Sequence, residues 1–135
     1  MRKVMWLVVI LLVALVGVGL YARLAPSDVA RWHVMPERLT PGNSAGQAVR
    51  MVEAGPDTFA RLDEIILGTP RTEVLAGSVD EGMRTYITRT ALFGFPDYTT
   101  VAFRGDQITL FGRLRFGKYD MGVNAKRLDG WLSQL

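Results

Sequence analysis

An α+β fold, built as an N-terminal transmembrane helix plus a small domain of about four antiparallel strands flanked by two helices, follows from three features of the chain. The first is an uncharged apolar run over residues 4–22, preceded only by Met1-Arg2-Lys3. The second is a change of apolar spacing, from three-and-four over residues 57–67 to a period of two from Thr72 onward, clearest in the last strand. The third is a return to helical spacing at Leu128, Trp131, Leu132 and Leu135.

The apolar run holds 19 residues. A helix rises about 1.5 Å per residue, so this run just crosses a hydrocarbon core about 30 Å thick. Trp6 and Tyr21 fall near its two ends, where amphipathic aromatics favour the headgroup zone. A cleaved signal peptide has a shorter apolar stretch, of about 7 to 15 residues, before a small-residue cut. Gly17-Val18-Gly19 imitates such a cut, but apolar character continues through Leu20-Tyr21-Ala22, so a retained single-pass anchor is expected. The bilayer is thus the expected partner of residues 4–22. Arg2 and Lys3 at the immediate N-terminal flank favour N-terminus in and domain out. The expected address is the bacterial inner membrane with a periplasmic domain.

The sequence pI of 9.6 misleads. Arg2 and Lys3 precede the apolar run, which leaves 14 of the 16 basic residues against all 13 acidic ones. Such a balanced domain has no electrostatic footprint for nucleic acid, and none is expected as a partner. The chain has no cysteine, which excludes disulfides, thiolate nucleophiles and Cys-ligated zinc. Its single histidine, His33, cannot supply a usual zinc set or activate a hydroxyl nucleophile from within the folded unit. Phosphate-cradling glycine loops, dinucleotide fingerprints and calcium-loop spacing are all missing, so neither metal nor cofactor is expected.

The expected organisation is a basic N-terminus (1–3), an anchor (4–22), a tether (23–55) and a small α+β domain (56–135). Pro26, Pro36, Pro41, Gly42, Asn43, Ser44 and Gly46 punctuate the tether. Within it, Ser27 can cap a short helix running to Met35, with Val29 and Trp32 on one side. That side lies either on the membrane surface or against the domain, and His33 is expected to be solvated. Residues 57–67 read as an amphipathic helix capped by Asp57 and ended by Gly68 and Pro70. Strands are expected over 72–77, 83–93, 98–104 and 107–116, the last two joined at Gly105-Asp106, a hairpin signal. In the last strand Ile108, Leu110, Leu114 and Phe116 face one way and Gln107, Thr109, Arg113 and Arg115 the other, so the sheet is expected to be buried on one side only. A chain beginning near Ala45 would contain every expected core element.

One constellation stands out: Arg113-Leu-Arg115-Phe-Gly117-Lys118-Tyr-Asp120-Met-Gly122-Val-Asn124-Ala-Lys126-Arg127, joined to Pro70-Arg71 and to Phe93-Gly-Phe95-Pro96-Asp97. It resembles the family catalogued as domain of unknown function 1499. Members carry a Pro-Arg pair opening the first strand, a phenylalanine-then-aspartate element, and a terminal G-x-x-D-x-G-x-N-x-x-R block. These fall here on Pro70 and Arg71, on Phe95 and Asp97, and on Gly117, Asp120, Gly122, Asn124 and Arg127. The resemblance covers roughly residues 59–135 and implies no established activity. Where the family has a serine-rich approach and a doubled aspartate, this chain has Gly112-Arg113-Leu114-Arg115 and Asp97-Tyr98.

Read physically, the terminal block is a strand-to-helix corner. Gly117 and Gly122 suit positive φ, and Asp120 or Asn124 can accept hydrogen bonds from the first-turn amides. Arg113, Arg115, Lys118, Lys126 and Arg127 approach that corner against Asp120 and Asp97. Either Arg127 is paired internally with one of those aspartates, or the helix start and Arg127 grip an anion. The candidate ligand-binding residues are therefore Arg71, Asp97, Arg113, Arg115, Lys118, Asp120, Asn124 and Arg127. Two functions are carried forward: a noncatalytic binding or structural module for a partner protein or anionic ligand, and a carboxylate-based hydrolase acting near the membrane surface. A pocket holding Asp97 and Asp120 side by side favours the hydrolase. A basic face favours binding.

Overall fold

The computed structural model describes residues 1–135 and has an α+β architecture. Helix α1 (Arg2–Leu24) is long and apolar enough to cross a membrane and exposes its apolar side chains along most of its length. A four-residue helix α2 (Val29–Trp32) follows, then strands β1 (Gly42–Ser44) and β2 (Gln47–Glu53). Helix α3 (Pro56–Leu67) precedes strands β3 (Thr72–Ser78), β4 (Met83–Arg89), β5 (Pro96–Arg104) and β6 (Gln107–Leu114), and α4 (Val123–Leu132) closes the domain. The strands form one antiparallel sheet in the order β1-β2-β6-β5-β4-β3.

The sheet has six strands rather than four because β1 and β2 form within the stretch expected as a tether. Ala48 and Val49 are buried as β2 pairs along the whole free edge of β6, from Gln47 opposite Arg113 to Glu53 opposite Gln107. The glycines, prolines and polar residues before Gln47 mask this alternation in the sequence. Strand β4 stops at Arg89 instead of running to Phe93. Residues 90–95 turn back on themselves, with the Thr90 hydroxyl accepting from the Phe95 amide at 3.0 Å and the Thr90 carbonyl from the Gly94 amide at 3.1 Å. In α3 the N-cap is Gly55 and Pro56 opens the first turn, so Asp57 lies inside the helix and makes no capping bond. The hairpin at Gly105-Asp106 forms as expected, with Arg104 opposite Gln107.

Helices α3 and α4 cover one face of the sheet. Phe59, Leu62 and Ile66 meet Leu128 and Trp131 over Tyr86, Val101, Ile108 and Leu110, all buried. The indole of Trp131 donates to the Thr69 hydroxyl at 2.8 Å. Beneath the same helices, Asp63 accepts from Arg84 at 2.9 Å and from the Tyr86 hydroxyl, so this inward-facing carboxylate is fully partnered.

The opposite face is covered too, which corrects the expectation of one-sided burial. Trp32, Ile87 and Tyr98 form a second cluster there, with Leu75 packed against it. Trp32 therefore lies against the domain rather than on a membrane surface. The cap of α2 is Asp28, whose side chain accepts from the Ala30 amide, while Ser27 bonds the Tyr98 hydroxyl at 2.6 Å. Nor is His33 solvated: its Nδ1 lies 2.8 Å from the Thr85 hydroxyl on the strand below. A polar, proline-punctuated segment can bury these few side chains because its backbone carbonyls are taken up by arginines, described next.

Candidate functional site

The corner between β6 and α4 is organised around Asp120. Its carboxylate accepts from the amides of Gly122 at 2.9 Å and Asn124 at 3.1 Å, and from the Asn124 side chain at 2.8 Å. At the start of α4 the amides of Gly122 and Asn124 are thereby occupied by the chain's own carboxylate, and the Val123 amide by the Asp120 carbonyl. Gly117 and Gly122 do have positive φ, at 93° and 77°. Asn124 is fully buried, and it fits because Gly112 has no side chain: a Cβ there would lie 3.0 Å from Asn124 Oδ1. That oxygen accepts from Arg127 Nη1 at 3.0 Å, and the same nitrogen donates to Asp97 at 3.1 Å. Asp120, Asn124, Arg127 and Asp97 thus form one continuous chain of hydrogen bonds.

The two aspartates titrate in opposite directions. Burial raises the Asp97 carboxyl above its ordinary value, and the Arg127 charge only partly offsets this. Burial also pulls Asp120 upward, but the hydrogen bonds from Asn124 and Gly122 outweigh it and hold that carboxyl below the ordinary range. Neither aspartate lines the arginine-lined cleft at the end of the sheet or the cleft between α3 and α4. Arg127 is paired internally with Asp97.

The cations expected at this corner are divided by strand alternation. Arg113 and Arg115 project to the opposite face of the sheet. Arg113 is buried, donates to the Thr100 hydroxyl at 2.8 Å, to the Phe111 carbonyl at 3.0 Å and to the Trp32 carbonyl, and lies between the Trp32 and Phe111 rings. It has no carboxylate partner, and burial lowers its pKa to about 10. Arg115 donates to the Pro26 carbonyl at 3.0 Å and the Tyr98 hydroxyl at 3.1 Å. Both arginines thus pin the segment after α1 onto the sheet. Lys118 is exposed in the loop before α4 and makes no side-chain hydrogen bond or ion pair.

Arg71 belongs to a third place. The pairings Thr72–Thr88, Thr88–Asp97 and Asp97–Leu114 put the start of β3, the end of β4, the start of β5 and the end of β6 at one end of the sheet. The last turn of α1 meets the same end: Ala22 is buried, and its carbonyl accepts from Arg89 at 2.9 Å. Here a cleft of about 340 Å³ is lined by Arg23, Arg71 and Arg89 with Thr72, Glu73 and Gly94. Arg23 donates to the Leu92 carbonyl at 2.6 Å, Arg71 to the Arg89 carbonyl at 3.1 Å, and Arg89 also to the Gly94 carbonyl at 3.1 Å. None of the three is in an ion pair, so three guanidinium groups face one carboxylate, Glu73. Arg71 itself has φ 56°, a left-handed conformation costly for a non-glycine residue. Gly94, at φ 72°, is where the Arg23 side chain crosses the loop; a Cβ there would lie 2.6 Å from Arg23 Cγ.

The sequence grouped Arg71 with the β6–α4 corner, and Arg23, Arg89 and Gly94 were not among the candidates. Their signals are faint: Arg23 is a lone charge after the apolar run, and Arg89 ends an alternating strand. No three His, Asp or Glu side chains converge anywhere in the structure. Guanidinium forks with free N–H donors suit phosphate or carboxylate, which they bind in bidentate fashion.

A search among curated proteins finds no match. The family model described as "Protein of unknown function (DUF1499)" matches residues 28–135, from the cap of α2 through α4. That span takes in Trp32 and both covered faces of the sheet, and the chain belongs to the DUF1499 family.

Proposed function

We propose that the protein is a membrane-tethered, noncatalytic module that binds an anionic ligand in the cleft of Arg23, Arg71 and Arg89. The carrying observation is the excess of positive charge there: three arginines without ion-pair partners against the single carboxylate of Glu73. Each guanidinium has five N–H donors, and the intramolecular bonds described above use only one or two of them. In this reading α1 is retained as a single-pass anchor in the bacterial inner membrane, with the domain on the periplasmic side. Retention is supported by the contacts of its last turn, since Ala22 and Arg23 are joined to Arg89 and Leu92 of the domain. The hydrolase reading has less support, because Asp97 and Asp120 are each committed to hydrogen bonds within the corner.

Phosphate titration of the full chain in nonionic detergent, followed by backbone-amide NMR, tests the proposal. Saturable shifts at Arg71, Thr72, Arg89 and Gly94, lost in Arg71→Ala and with the fold intact, are expected. Unmoved amides in the cleft would exclude an anion site there. The mass of the mature protein and a periplasm-active reporter after Leu135 test retention and orientation.

A further inference from the structure

We infer that the anionic ligand is a phospholipid of the surrounding bilayer, its phosphate in the arginine cleft and one acyl chain in the groove between α1 and residues 90–95. This rests on the anion-binding reading above and names the ligand for it. Beside the cleft lies a second cavity of about 360 Å³, lined by Leu15, Val16 and Leu20 of α1 and by Leu92 and Phe93 of the loop. Arg23 lines both cavities, so the polar and apolar chambers adjoin across one side chain.

The depth of the two chambers matches an amphiphile. Arg23 ends the apolar helix and so lies at headgroup level. Leu15 lies eight residues earlier, about 12 Å deeper at about 1.5 Å per residue, which is within one leaflet of a core about 30 Å thick. Phe93 approaches the helix at Gly19, where a Cβ would lie 3.7 Å from the Phe93 carbonyl oxygen. Leu92 is 75 % exposed and forms one wall of this apolar groove beside the helix. Tyr119 and Met121, in the loop after β6 at the same end of the sheet, are 77 % and 94 % exposed. That end of the domain therefore presents apolar side chains and unpaired arginines together. The combination suits a bilayer surface carrying phosphate headgroups and suits a soluble anion less well.

The test uses the full chain reconstituted into nanodiscs of phosphatidylcholine alone or of phosphatidylcholine with phosphatidylglycerol, released into nonionic detergent and weighed by native mass spectrometry. Phosphatidylglycerol is expected to stay bound in preference to phosphatidylcholine by about tenfold or more, because both carry a phosphate but only phosphatidylcholine brings a choline cation into a cleft of unpaired arginines. Arg71→Ala should abolish the preference. Leu92→Gln should weaken retention of both lipids while leaving the phosphate-induced amide shifts of the cleft in place. Amide shifts with inorganic phosphate but equal retention of the two lipids would overturn the lipid assignment and leave the anion site standing. Neither shifts nor preference would overturn both. A phosphatidylglycerol preference unchanged by Arg71→Ala and Leu92→Gln would place the lipid elsewhere and overturn this inference alone.

Discussion

Trp32 lies flat on Tyr98, with ring centroids 4.0 Å apart and planes 12° from parallel. This stack joins the segment after α1 to the sheet's second face and closes over the guanidinium of Arg113. A cation without a carboxylate partner is tolerated there because its donors reach two carbonyls and a hydroxyl and its planes meet aromatic faces.

Trp32→Ala is accordingly expected to cost about 3 to 5 kcal/mol, the range for removing a large buried aromatic. Urea unfolding of the full chain in detergent measures it. A chain beginning near Ala45, which lacks Trp32 altogether, should unfold at a similarly lowered midpoint and expose Tyr98 to solvent, seen as a fluorescence change. A midpoint equal to that of the full chain would show that the second face contributes nothing.

On the other face, Trp131→Ala removes both a buried ring and the hydrogen bond to Thr69. The loss should again be about 3 to 5 kcal/mol. Trp131→Phe keeps most of the packing and should lose about 1 kcal/mol, the worth of one ordinary hydrogen bond plus a small volume change. Comparing the two melts separates packing from bonding.

Arg127→Ala leaves the buried Asp97 carboxylate without its cation, and breaking such a pair costs about 3 to 5 kcal/mol near neutrality. The pH dependence has a definite sign. Asp97 already has a raised folded pKa, so the folded state binds its proton more tightly than the unfolded state does. Stability from this group therefore falls as pH rises from the ordinary carboxylate value, about 3.9, through the raised folded value. Without Arg127 that folded value rises further, so the variant should recover part of its deficit when urea melts are repeated at about pH 5. An unchanged deficit would mean that Asp97 is not the group responsible.

Asp120 behaves oppositely. Its folded pKa is depressed, so the stability it contributes is present above about pH 4 and is lost as pH falls through the depressed folded value. Asp120→Asn should cost about 1 kcal/mol at neutral pH through the weakened helix start. The difference from the native chain should shrink below about pH 4, where the native carboxyl takes up its proton.

The sequence by itself determined the local elements. The uncharged run gives α1, three-and-four spacing gives α3 and α4, alternation gives β3 to β6, and Gly105-Asp106 gives the hairpin. The β6–α4 corner was legible as well, because capping carboxylates and positive-φ glycines act over a few residues. Tertiary structure decided what those elements leave open. β2 joined the sheet because β6 had a free edge, an interaction across about 60 residues of chain that no local spacing reports. Trp32 and Arg113 were buried, and His33 half-buried, for a similar reason: a strand's alternation says which side chains share a face, not whether another segment covers it. The arginine cleft was the least legible. Arg23 lies on α1, Arg71 in the turn before β3 and Arg89 at the end of β4, and they meet only because an antiparallel sheet brings the end of β4 and the start of β3 to the place where α1 arrives.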